Sequence, residues 1–208
     1  MPFGINECLM TPQVPVNHSR HVFFIKAYAP TLDAEDDINE AFYAGLNRVL
    51  TSTPREDKVV LLGDFNGRVG RDVDIWQGTI GRNGLSNCNP NSLHLLSKCD
   101  ANNLTITNTL FRQEDKFQGS WQHPRSKHWH LVDYIIVRER DRRVVLITLA
   151  MHGSDHCNTD HRLVRAKLSL HVASKQRRQQ TYIKDFNTEH LEDPVVAHTF
   201  REQLSNRS

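Results

Sequence analysis

The sequence has no paired cysteines. Cys8, Cys88, Cys99 and Cys157 are scattered over 208 residues without a C-x-x-C pair. Neither a disulfide framework nor a zinc ribbon is indicated. His128 and His130 lie close together but have no matching second pair of ligands, which argues against a zinc site of the finger type. No apolar run approaches the roughly 20 residues that a membrane helix needs. No signal peptide or targeting sequence is visible, so no membrane partner is expected. There is no internal repeat. Nor is there a large excess of one charge: 26 Lys and Arg against 24 Asp and Glu leave +2, with 12 histidines besides. An overall positive field therefore cannot recruit a polyanion, and any nucleic-acid contact must come from local patches. Hydrophobic content is 38%, which at this length predicts one domain with a thin core, and a tail.

Three basic patches are present: RERDRR at 138–143, HPRSKHWH at 123–130 and KQRR at 175–178. Each is equally well read as a solvated face. The second stands out because Trp121 and Trp129 interleave with Arg125 and Lys127. Aromatic and cationic groups together suit base stacking and phosphate contact, which makes these four the candidate nucleic-acid-binding residues. KQRR is too short for a convincing nuclear signal.

The richest stretch is KVVLLGDFN, residues 58–66. Val59 to Leu62 is continuously apolar, as in a strand covered on both faces. It ends in Gly63, Asp64, Phe65 and Asn66. Polar groups at the carboxyl end of such a strand sit where sheets carry chemistry. The same residues also make an ordinary Asx-type turn.

Three further segments bear on that choice. In VDYIIV, Asp133 interrupts a run that otherwise reads as a buried strand, so its carboxylate needs a cation, a histidine or a metal. Thr159, Asp160 and His161 directly precede a strand in which Val164, Ala166, Leu168, Leu170 and Val172 alternate with polar residues. The apolar strand from His21 closes on Tyr28, with Pro30 behind it. A second Ser-Asp-His triplet, Ser154, Asp155 and His156, competes with Thr159-Asp160-His161. The later copy is preferred because it abuts its strand, whereas six residues separate His156 from Leu163.

Between these segments, Asp33 can cap a helix with Glu35, Asp36 and Asp37 in its first turn. Its expected buried stripe is Ile38, Ala41, Phe42, Gly45, Leu46 and Val49. Asn89 and Pro90 can start a second helix with Leu95, Leu96 and Cys99 inward. Leu104–Thr107 and Arg143–Thr148 read as strands. Alternating strands and helices predict an α/β layered domain over 1–172. A basic linker at 173–187 and an amphipathic tail at 188–208 follow.

In this order, a strand ending in Tyr28, GDFN with Asp64 and Asn66, Asp133 before aromatic and aliphatic residues, and Thr159-Asp160-His161 resemble the endonuclease/exonuclease/phosphatase superfamily. AYAPTLDAEDD, LLGDFNGRVGRD, LTITNTLFRQEDK and HPRSKHWHLVDYIIVRERDRR look most like the endonuclease region of RTE-type LINE retrotransposons, and like a host protein derived from such an element. The resemblance spans about residues 5–172. It implies a two-sheet α/β sandwich of the deoxyribonuclease I-like type and a DNA-nicking, Mg²⁺-dependent phosphodiester hydrolase, with Mn²⁺ as the alternative ion and DNA as the partner. By resemblance, Asp64 orients or deprotonates water, Asn66 holds the scissile phosphate and Tyr28 stabilises its charge. Asp133 pairs with His161, and Asp160 lies at the metal. A nuclear location follows only if the chain acts as such an element's endonuclease.

The resemblance also implies an N-terminal half bearing a metal-binding Glu, which is not seen here. Asn6 and Glu7 do not stand in its context. The expectation is a sandwich lacking much of that half, with impaired activity. The alternatives are a catalytically dead relic that at most binds nucleic acid, or a phosphatase of the same superfamily. Ser86, Pro90 and Ser92 replace glycines of this branch, which bears on the backbone of that loop.

Overall fold

The computed structural model describes residues 3–16, 20–153 and 159–170, together with positions 194, 195, 198 and 202. The chain divides into two units, Met1–Ala173 and Ser174–Ser208.

The first unit is built on a seven-stranded sheet. Its strands are β1 (Phe3–Asn6), β2 (Leu9–Thr11), β3 (Gln13–Pro15), β4 (His21–Tyr28), β5 (Lys58–Asp64), β6 (Leu104–Ile106) and β9 (Asp133–Arg138). The order is β1-β2-β4-β5-β9-β6, and β3 also pairs with β4. Among the described strands only β4 and β5 run parallel. Their crossover is helix α1 (Asp36–Ser52), the connection a parallel pair requires. A short hairpin with strands of two residues each, β7 (Trp121–Gln122) and β8 (Trp129–His130), lies outside this sheet. A second sheet pairs β10 (Val145–Ala150) with β11 (Val164–Leu168).

The central strands carry apolar residues on both faces because both are covered. Ile25, Ala27, Val59, Leu61, Tyr134 and Ile136 join α1 and α2 (Pro90–Ala101) in the larger core. Val22, Val60, Ile135 and Val137 form a smaller core on the other face with Val145 of β10 and, partly buried, Val164, Ala166 and Leu168 of β11. The layers are thus helices, large sheet, small sheet. Alternation along β4, β5 and β9 puts Tyr28, Asp64 and Asp133 on the small-sheet face.

α2 matches its sequence signature. Asn89 caps it by accepting from the Ser92 amide, Pro90 opens it, and Leu95, Leu96 and Cys99 are buried. α1 departs from expectation at its start and in its stripe. Asp33 does not cap it; the helix begins after Glu35, which makes no side-chain cap bond. Residues 31–34 close a turn instead, with the Ala34 amide donating to the Thr31 carbonyl. The buried stripe is Asn39, Phe42, Tyr43, Gly45, Leu46, Val49 and Leu50, whereas Ile38 and Ala41 face solvent. The face turns because Tyr43 goes inward, edge-on to Phe42 and stacked on His94 of α2. The strand expected over Arg143–Thr148 is displaced to Val145–Ala150, since a 3₁₀ segment occupies Glu139–Val144. The strand ahead of Leu170 ends at Leu168.

Gly63 fits a position that no side chain could occupy. A Cβ there would lie 1.7 Å from the Ala27 carbonyl oxygen of β4, and its φ is +150°. In the second unit, the described positions 194, 195, 198 and 202 are helical. Val172, the 173–187 segment, KQRR and the Ser154-Asp155-His156 copy lie outside the described residues. Among the described residues no helix is long and apolar enough to cross a membrane.

Candidate active site

Tyr28, Asp64 and Asp133 are direct cross-strand neighbours. Tyr28 is in register with Asp64 across β4–β5, and Asp64 with Asp133 across β5–β9. Three strands thus deliver the three candidate side chains to one level and one face of the sheet. His161, just ahead of β11, closes the group. Its Nδ1 is 3.0 Å from Asp133 Oδ2, and its Nε2 is 4.0 Å from Asp64 Oδ2.

The Asx turn and the site occupy the same residues. The Asn66 amide donates to Asp64 Oδ1 (2.9 Å). That bond steadies the carboxylate and leaves Oδ2 toward His161. Asn66 has φ +49°, a conformation that asparagine tolerates better than most residues. Its side-chain Nδ2 donates to the Ala29 carbonyl (2.8 Å), so one amide hydrogen is already used. Asp133 is anchored at its backbone: its N–H donates to Ser120 Oγ (3.2 Å) and its carbonyl accepts from Asn108 (3.2 Å).

The β7–β8 hairpin is tied to the His161 segment by a Trp121–His161 bridge and by the Gln122 amide donating to the Asp160 carbonyl (2.9 Å). The Trp121 indole N–H donates to Asp160 Oδ2 (2.8 Å). One carboxylate oxygen of Asp160 is therefore occupied by a tryptophan remote in sequence.

Burial pushes the Asp64 carboxyl above the ordinary range, with Asp133 and Asp160 adding to the rise; the Asn66 amide bond and His161 oppose it. The hydrogen bond to Asp133 raises His161 above the ordinary imidazole value, against partial burial, with the charges of Asp133, Asp64 and Asp160 adding. The site thus favours a protonated histidine among carboxylates. Asp64, Asp133 and His161 offer polar atoms all within 4.8 Å of one another, but a protonated His161 donates and does not ligate, so a cation here falls to the carboxylates. Carboxylate oxygens suit a hard divalent ion.

Tyr28, Asp64, Asn66, Asp160 and His161 line one cleft of about 680 Å³, with Trp121 on its wall. Tyr28 is 56% exposed, which leaves its ring and hydroxyl open to the cleft. Arg125, Lys127 and Trp129 are not among the lining residues. The Arg162 guanidinium lies 3.3 Å from the Trp129 ring centroid, so one ring face already carries a cation. Two cations of the RERDRR patch are also engaged within the fold: Arg138 donates to the Thr53 carbonyl (3.2 Å) and Arg140 to the Asp57 carbonyl (3.1 Å).

The cleft adds residues that sequence reasoning did not select: Arg68, Asn89, His123 and His130. The nearness of Arg68 to Asn66 was visible in the chain. The other three are brought in by the start of α2 and by the hairpin.

No family model matches the chain. The sequence is 38% identical over 146 residues to craniofacial development protein 2 of Bos taurus, which covers 70% of this chain and 24% of that protein. The Tragulus javanicus protein of the same name is 37% identical over 146 residues, 70% of this chain and 25% of that protein. The chain therefore spans about a quarter of the length of these curated relatives. Among solved structures, a 3′–5′ exonuclease from Neisseria meningitidis superposes with a TM-score of 0.56 at 19% identity, covering 77% of this chain and 64% of that one. The catalytic domain of Xenopus laevis APE2 gives 0.54 at 17%, covering 78% and 55%. The endonuclease domain of TRAS1, a telomere-specific non-LTR retrotransposon, gives 0.53 at 14%, covering 78% and 63%. The fold is the α/β arrangement of the deoxyribonuclease I-like endonuclease/exonuclease/phosphatase proteins.

Proposed function

We propose that this chain is a phosphodiester hydrolase, a Mg²⁺-dependent DNA-nicking domain of retroelement origin, with Mn²⁺ as a substitute ion. The observation that carries this reading is the alignment of Tyr28, Asp64 and Asp133 on adjacent strands, closed by His161 at hydrogen-bonding distance from Asp133. Hydrolysis of a phosphodiester needs an oriented water, donors for a charged phosphorane-like transition state and help for the leaving oxygen. Asp64, its carboxyl raised by burial, orients and deprotonates the water. His161, kept charged by Asp133, donates from its free Nε2 to a phosphate oxygen. The remaining amide hydrogen of Asn66 and the Tyr28 hydroxyl supply further donors.

Asp160, which lines the same cleft as Asp64, is the carboxylate that would hold a divalent ion, whose positive charge would offset the negative charge of the phosphate. The donor set fits Mg²⁺, which keeps several waters and takes one or two carboxylates. It is nevertheless a weak set. Asp133 is engaged by His161, and Asp64 Oδ1 by the Asn66 amide. These 208 residues by themselves are therefore an impaired nuclease that needs millimolar metal. The names of the exonuclease and of the retrotransposon endonuclease among the structural neighbours support the substrate class.

The reading is tested by incubating a fluorescent duplex oligonucleotide with the protein over a Mg²⁺ titration. Slow cleavage that rises into the millimolar range supports it. Cleavage indifferent to Mg²⁺ rejects it.

A further inference from the structure

Arg68 is a half-buried cation that forms no ion pair among the described residues. It lines the same cleft as Asp64 and His161. Its backbone is fixed on both sides: its N–H donates to Asn89 Oδ1 (2.7 Å), and its carbonyl accepts from the Asn89 amide (3.1 Å). The neighbouring residues are pinned too. The Val69 amide donates to the Tyr134 hydroxyl oxygen (3.2 Å), which lies 2.9 Å from the Gly67 carbonyl. A Cβ on Gly67 would lie 3.0 Å from Ser92 Cα, so the loop is packed against the start of α2.

The guanidinium, by contrast, has no partner among the described residues. Among the described residues it makes no salt bridge and no hydrogen bond, and the other charged residues of the cleft, Asp33, Asp64, Asp160 and His161, form no ion pair with it. This is unlike Lys58, Lys116 and Arg140, each of which reaches a carboxylate. The neighbouring His130 is pushed below the ordinary imidazole value by burial first and then by the charges of Arg68, His123 and His128. Its Nδ1 is buried without a hydrogen-bond partner. His130 is therefore neutral near pH 7, and Arg68 is the fixed positive charge on this wall.

We infer that Arg68 binds a second phosphate of a DNA strand, one flanking the phosphate held at Asp64 and His161, and so selects a polynucleotide over an isolated phosphodiester. A planar guanidinium presents paired donors to phosphate oxygens. A fixed loop aims it, and the absence of an internal carboxylate leaves it available. The identity of the first phosphate rests on the hydrolase reading, but binding at Arg68 does not require turnover.

The test compares the full chain with its Arg68→Gln and Arg68→Lys variants. In fluorescence anisotropy with a labelled duplex across a salt series, Arg68→Gln should weaken binding at least fivefold. It should also reduce the slope of log K against log salt by about one. Arg68→Lys should restore most of the slope. A methylphosphonate placed at successive positions of the duplex should weaken the unmodified protein at one position and leave Arg68→Gln unaffected there. In cleavage, KM should rise about tenfold with kcat within about twofold. Wild-type affinity and salt slope for Arg68→Gln overturn the inference. So does a methylphosphonate effect of equal size in both proteins, or a fall in kcat at constant KM. If no duplex is cleaved under any condition, the hydrolase reading fails, while the binding and methylphosphonate arms still decide the role of Arg68.

Discussion

Asp133 and His161 stand 28 residues apart in sequence and meet at 3.0 Å, Oδ2 to Nδ1. The contact fixes which imidazole nitrogen is left for other work. With Nδ1 committed, Nε2 faces Asp64 at 4.0 Å. It also ties the small sheet to the large one at the rim of the cleft.

Loss of this pair should be severe. His161→Ala and Asp133→Asn should each lower kcat/KM for duplex cleavage by about 10²–10³, the cost of removing a donor aimed at developing charge, about 2.7–4 kcal/mol. His156→Ala should stay within about twofold. The reverse ranking, with His156 essential and His161 dispensable, would show that the other Ser-Asp-His copy carries the chemistry.

The pair also predicts a pH signature. His161 binds its proton more tightly when folded than when unfolded. Its contribution to stability is therefore complete below the ordinary histidine value of about 6.5 and is lost as pH rises through the raised folded value. Melting temperature measured from pH 5.5 to 9 should fall on the alkaline side of this window in the natural protein. Asp133→Asn should flatten that dependence, and the alkaline limb of its activity profile should move to lower pH. An identical pH dependence in the two proteins would remove Asp133 as the cause of the shift.

Much of this was legible in the chain, and the exceptions have physical causes. The strands carrying Tyr28 and Asp64 are marked by apolar runs that stop at a polar residue, that of Asp133 by an apolar run the aspartate interrupts, and α2 by Asn89 and Pro90. The α1 stripe differs from expectation because Tyr43 stacks on His94 of α2 and is buried with Asn39, while Ile38 is not, a choice that tertiary contact makes and periodicity does not. The Trp121–Asp160 bond was invisible because it joins residues 39 positions apart through a short hairpin. Arg68 could not be told from a solvated arginine in the chain, because its place on the cleft wall comes from the packing of its loop on Asn89 at the start of α2.

Trp121 should act through Asp160. Trp121→Phe keeps a ring but removes the indole donor, so Asp160 loses its orienting bond. The Mg²⁺ concentration for half-maximal cleavage should rise about tenfold, within the 10–100-fold range for lost outer-shell support, and saturating Mg²⁺ should recover most of the rate. A rate loss that no metal concentration rescues would place Trp121 against the substrate instead.

Gly63→Ala tests the fold rather than the chemistry. The added methyl meets the Ala27 carbonyl at 1.7 Å in a backbone conformation that alanine disfavours. The combined overpacking and strain should cost about 3–5 kcal/mol in urea unfolding. A change below about 1 kcal/mol would mean that β4 and β5 are not held in this register.

The central claim is that the cleft bearing Asp64 hydrolyses phosphodiesters with the help of a divalent ion. It is tested most directly by relaxation of supercoiled plasmid DNA at 10 mM Mg²⁺ (an order-of-magnitude choice, about where a weak carboxylate site fills), comparing the natural protein, Asp64→Asn and the natural protein with excess chelator. The account predicts slow appearance of open circles with the natural protein and none in the other two. Equal nicking by Asp64→Asn, nicking that survives the chelator, or no nicking at any enzyme concentration would contradict it.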